Sequence, residues 1–64
     1  MWKITSVRLV HDRDAIWTVD DNAREIILGL GPDGEVSTVH IDLFDGRRVE
    51  IPRNQVTITW ERAV

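Results

Sequence analysis

The chain of 64 residues contains no cysteine and no tyrosine, only two histidines, two prolines, one methionine and one phenylalanine. Without cysteine there are no disulfides, no zinc–thiolate centres and no thiol nucleophile. That absence fits a reducing compartment. No apolar run approaches the roughly 18 residues of a membrane span. The opening Met1-Trp2-Lys3-Ile4 is not followed by the hydrophobic stretch of a signal peptide. The expectation is therefore a cytoplasmic protein with no membrane association.

An excess of one charge is also missing. Eight basic and eleven acidic residues give a net charge of −3, and neither half of the chain is basic. A sequence-blind nucleic-acid binder normally carries a basic excess, so this class ranks second. The length allows one domain, spanning 1–64, whose core is marginal. Small domains add disulfides, a metal or a partner subunit. With disulfides excluded and no ligand cluster evident, a partner subunit is the expected support.

What is present is a rhythm of short apolar–polar alternations broken by turn signals every 8 to 14 residues, the pattern of a compact all-β domain. Residues 2–10 read as a first strand. Trp2 and Ile4 fall on one face and Val7 and Leu9 on the other, unless a bulge near Thr5-Ser6 realigns them. Residues 11–14 form a polar turn, Ala15 to Val19 a second strand, and Asp20-Asp21-Asn22 a break. Residues 23–30 admit two readings. Ala23, Ile26, Ile27 and Leu30 share a helical face, with Asn22 and Glu25 as a capping box. Gly29 and the paired isoleucines favour a strand at 25–30 instead. The strand is preferred, with one short helix near 22–30 as the alternative. Gly31-Pro32-Asp33-Gly34 is a hairpin signal.

Glu35 to Phe44 then runs extended, with Val39, Ile41 and Leu43 facing inward and Thr38, His40, Asp42 and Phe44 sharing the other face. Val36 falls in phase with that second face, unless a bulge near Ser37 turns it inward. Asp45-Gly46 marks a second hairpin, with positive φ accessible to both residues. Pro52 bars a central-strand hydrogen bond, so the last strand must begin after it.

The segment "GRRVEIPRNQVTITW", through Gly46, Ile51, Pro52, Asn54 and Val56, resembles the last third of an SH3-like small β-barrel. In that fold a strand ends in Ile-Pro, a 3₁₀ turn containing Asn follows, and the final strand starts with Val. The resemblance covers about residues 46–60 and implies the fold only. The family's peptide-binding surface rests on a Tyr-rich segment and a tandem Trp pair. This chain has no Tyr, and its Trp residues stand apart at 2, 17 and 60. The expected architecture is a small SH3-like barrel or strongly bent antiparallel sheet of five to six strands.

Candidate sites follow from residues that such a core cannot absorb. Trp17 and Trp60 are in phase with inward neighbours and are expected in the core. A core this small rarely buries three indoles. Trp2, at the terminus, is expected to be exposed and, with Phe44, to form an interface, because exposed aromatics are the usual anchors of binding. Arg47, Arg48 and Arg53 cluster in sequence around the second hairpin and the Pro52 turn, where Arg47 and Arg53 are placed to approach one another. They are the candidate anion or nucleic-acid contacts. His40 and Asp42 share a face but are too few for a metal. His11 lies in a polar turn.

There is no catalytic motif with its context and no phosphate loop. No cofactor is expected. The leading function is a non-catalytic protein-interaction or regulatory module that self-associates or binds another protein. A nucleic-acid-binding small barrel is the alternative, and an enzyme with an intersubunit site the third.

Overall fold

The computed structural model describes residues 1–62. Its elements are β1 (Trp2–Leu9), β2 (Ile16–Thr18), β3 (Glu25–Leu30), β4 (Val36–Asp42), β5 (Arg48–Pro52), a 3₁₀ turn (Arg53–Gln55) and β6 (Val56–Arg62). They form two three-stranded antiparallel sheets, ordered β2-β1-β6 and β3-β4-β5, and among the described residues no strand ladder closes the two into one cylinder. The fold is all-β, and among the described residues no helix is long and apolar enough to cross a membrane.

The ambiguous segment is a strand. Ile26 and Leu28 alternate onto the core while Ile27 faces out. A helix over 22–30 would have had to accommodate Gly29 and forgo the ladder to β4, in which Gly29 pairs with Thr38.

β1 solves its phase conflict with a bulge. It pairs with β6 as Ile4 with Trp60, then Ser6 with Thr59 and Val7 with Ile58, the register shifting between Ile4 and Ser6. Thr5 is the extra residue. It moves Trp2 and Ile4 onto the face that carries Val7 and Leu9, since each inserted residue reverses the alternation. Trp17 pairs with Val7 from the other side and packs, half-buried, against the core.

The two hairpins of the second sheet use the same loop. Gly31 N donates to Glu35 O at 2.8 Å and Gly34 N to Gly31 O at 3.0 Å. Leu43 N donates to Arg47 O at 2.8 Å and Gly46 N to Leu43 O at 3.2 Å. In each, an aspartate side chain caps the turn: Asp33 Oδ1 accepts from Glu35 N at 3.0 Å and Asp45 Oδ1 from Arg47 N at 3.0 Å. Gly34 and Gly46 take φ of +81° and +91°. Each is therefore a three-residue loop whose third residue is left-handed. Asp45, expected to share the positive φ, does not, because the turn is one residue longer than the two-residue form. The expected bulge near Ser37 is present, opposite the Gly29/Leu30 step. Val36 is half-buried there without packing on the core.

The chain passes between sheets through residues 19–24. Asp20 takes φ of +70°, and Ala23 is wholly buried. Asn22 pins the crossing: its Oδ1 accepts from Thr18 N at 2.6 Å and its Nδ2 donates to Ile16 O at 2.8 Å. Val7, Ala23, Val39, Ile41, Ile51 and Val56 make the buried core. A cluster of this size leaves part of the apolar surface uncovered.

Candidate interaction surface on the first sheet

Trp2, Ile4 and Trp60 occupy one end of the face that elsewhere forms the core. Ile4 stands directly opposite Trp60, and Trp2 opposite Arg62. Opposed residues of an antiparallel pair share a face, so Trp2 lies diagonal to Trp60 on it. Ile4 packs on the core. Trp60 is 45% exposed and Trp2 65% exposed, so the described chain covers neither indole fully. The expected exposure of Trp2 is present. The expected burial of Trp60 is not: its phase with Val56 and Ile58 is right, but alternation fixes only which face a residue takes. It does not fix how far the opposing sheet reaches.

Phe44 is 59% exposed, for a different reason from the one its phase suggests. β4 ends at Asp42, and Phe44 is the first residue of the Phe44-Asp45-Gly46 loop, the place Pro32 holds in the other hairpin. It belongs to the turn and not to the face of Thr38, His40 and Asp42.

Among the described residues β6 pairs only with β1, so its far edge carries no strand ladder. The direction of its backbone groups follows from two bonds. Gln55 O accepts from Val10 N at 2.9 Å, and Thr59 O accepts from Thr5 Oγ1 at 3.4 Å. Odd-numbered residues therefore turn their N–H and C=O toward β1, and Val56, Ile58, Trp60 and Arg62 turn theirs outward. Val56 is satisfied locally: its N–H donates to Arg53 O, and its carbonyl accepts from Arg53 Nη1 at 3.0 Å. Among the described residues, Ile58, Trp60 and Arg62 keep outward groups with no partner.

The three arginines do not form one site. Arg47 Nε bonds Asp45 Oδ2 at 2.6 Å. Arg48 forks onto Asp42, Nε to Oδ1 at 2.6 Å and Nη2 to Oδ2 at 3.2 Å. Arg53 is spent on the Val56 carbonyl. Strand β5 runs from Arg48 to Pro52, so five residues at roughly 3.3 Å each, about 16 Å, part Arg48 from Arg53, and Arg47 and Arg53 sit at opposite ends of the strand.

His40 and Asp42, side by side on β4, face different partners across it. Nδ1 of His40 lies 3.2 Å from Glu50 Oε1, too poorly aligned for a hydrogen bond, while Asp42 is held by Arg48. His11 stays exposed in its turn. A groove of about 430 Å³ runs over the other face of the first sheet, bordered by Lys3, Ser6, Thr18, Asp20, Thr59 and Glu61. Ile4 and Val19 also line it, so its walls are mixed, with more polar and charged side chains than the mainly apolar lining of small-molecule sites. No protein family, curated protein or solved structure matches the chain.

Proposed function

We propose that the chain is a non-catalytic protein-interaction module that associates with copies of itself through the uncovered end of the β1–β6 face. One observation carries the reading. Trp2, Ile4 and Trp60 are aligned on one face by the Thr5 bulge, and both indoles remain substantially exposed. A two-against-one bulge disrupts the ladder, and here its effect is to gather on one face apolar side chains that the described chain covers only in part. Exposed tryptophans are the commonest anchors of interfaces. Phe44 supplies a further exposed aromatic on its turn.

The arrangement Ile51-Pro52, a 3₁₀ turn containing Asn54, and a strand from Val56 supports an SH3-like version of the fold. The lack of cysteine supports a cytoplasmic setting. The nucleic-acid reading is weaker, because Arg47, Arg48 and Arg53 are each engaged with oxygen atoms of the chain itself. An enzymatic reading has no catalytic motif to place in the groove on the first sheet.

Sedimentation over a concentration series tests the proposal. The wild type is expected to associate at micromolar concentration, and Trp2→Ala to weaken association by about 2 kcal/mol, roughly thirtyfold. Phe44→Ala measures the contribution of the turn. Single-stranded RNA or DNA is expected not to bind at physiological salt. Tight binding that weakens steeply with salt would replace this reading with the nucleic-acid one.

A further inference from the structure

We infer that the association is a two-fold pairing of β6 with β6 of a second copy, centred on Trp60. The inference rests on the self-association just proposed and adds its geometry.

The edges of the molecule are not equivalent. β2 is three residues long. β5 carries Arg48 and Glu50 and ends on Pro52, and β3 is interrupted by Gly29 opposite the Ser37 bulge. Short strands, charge, proline and bulges are the usual protections of a sheet edge. The seven residues of β6, Val-Thr-Ile-Thr-Trp-Glu-Arg, contain no proline or glycine and carry their two charges, Glu61 and Arg62, only at the far end. The edge is blocked only at its start, by the Arg53 side chain on Val56.

The unblocked groups set the register. Ile58, Trp60 and Arg62 point outward, and the middle of that set is Trp60. An antiparallel two-fold pairing that satisfies all three must place Trp60 opposite Trp60 of the second copy and Ile58 opposite its Arg62. The neighbouring even registers do worse. Centring on Thr59 opposes Arg62 to Val56, whose backbone groups are already taken. Centring on Glu61 sets two carboxylates face to face, which is destabilising. A one-residue slip turns the apolar face of one copy to the polar face of the other.

The chosen register also completes the surface. Across the axis the shared face reads Ile4, Trp60, then Trp60 and Ile4 of the second copy. The next row reads Val7, Ile58, then Arg62 and Trp2 of the second copy, so an Arg stem covers Ile58 beside an indole. The product is a continuous sheet β2-β1-β6-β6-β1-β2 with one two-fold axis.

The absence of cysteine makes a clean test. In this register Thr59 lies opposite Glu61 of the second copy in a non-hydrogen-bonded pair, whose Cα separation of about 4.5 Å admits a disulfide. Thr59→Cys and Glu61→Cys proteins, both altered on the exposed polar face, are mixed, oxidised and weighed by mass spectrometry, with sedimentation run in parallel. The expected product is the mixed 59–61 dimer. A predominant 59–59 or 61–61 dimer would overturn the register. A sedimenting dimer with no cross-link would overturn edge pairing while leaving self-association standing. A monomer at all concentrations would overturn both.

Discussion

A Cβ added to Gly29 would lie 2.6 Å from Nε2 of His40, closer than any real contact allows. Gly29 sits on β3 beneath the His40 ring, which crosses from β4 with its Nδ1 toward Glu50 on β5. The glycine here answers to a neighbour and not to a backbone angle. Gly29→Ala is expected to destabilise by about 1–3 kcal/mol, the usual cost of overpacking. In the Gly29→Ala/His40→Ala double variant most of that cost should vanish, giving a large coupling in a urea-denaturation cycle. Additive effects would show that the ring is not what excludes the methyl group.

Gly34 and Gly46 present the opposite case. Their φ values are +81° and +91°, yet nothing lies within 4 Å of where a Cβ would stand. Substitution by Ala should cost about 1–2 kcal/mol at each site, from left-handed strain alone. No second substitution among their neighbours should rescue it. The two loops lie in separate hairpins, so the costs should add. Thermal unfolding of the single and double variants checks this, and a harmless Gly46→Ala would contradict the loop geometry.

The acid limb of stability should follow Asp42 and Asp45. The Arg48 hydrogen bonds hold the Asp42 carboxyl below its ordinary value of 3.8, against a smaller opposing effect of desolvation. The Arg47 backbone N–H, then its side chain, does the same for Asp45. A carboxyl lowered in the folded state adds stability above its unfolded value, and that stability is lost as pH falls through the folded one. Urea midpoints should therefore drop as pH is taken below 3.8, and the Asp42→Asn/Asp45→Asn variant should show a shallower drop. An unchanged acid slope would mean that these pairs are too solvated to matter.

Much of this fold is legible in the sequence because its signals are local. Alternation points to β4, Gly29 and the paired isoleucines tip the helical period of 23–30 toward β3, the conflict between Trp2-Ile4 and Val7-Leu9 announces the Thr5 bulge, and Pro32-Asp33-Gly34 announces its turn. What alternation cannot encode is the extent of the facing sheet. Trp60 reads as core from its phase, yet it stays 45% exposed. Phe44 reads as a strand residue because it continues the period of His40 and Asp42. The loop that claims it differs from a two-residue hairpin by only one residue. The arginine cluster was close in sequence alone, since a strand between Arg48 and Arg53 turns proximity along the chain into distance. Two of the partners are local, Asp45 two residues before Arg47 and the Val56 carbonyl three after Arg53, while Asp42 meets Arg48 only through the β4–β5 pairing.

Trp60 and Ile41 should separate the core from the interface. Ile41 is wholly buried, so Ile41→Ala should cost about 2–5 kcal/mol whatever the protein concentration. Trp60 is 45% exposed in the single chain. Its truncation in dilute protein should cost about 1–2 kcal/mol, below the roughly 3–5 kcal/mol of an emptied aromatic core position. At high concentration the wild type gains stability from association by mass action, and a variant lacking the central anchor does not. The Trp60→Ala deficit should therefore widen as concentration rises, while the Ile41→Ala deficit stays fixed as long as both proteins associate equally. Calorimetry of the three proteins at two concentrations decides the matter. A Trp60→Ala deficit that is large in dilute protein and constant thereafter would return this indole to the core and leave the β6 edge without its centre.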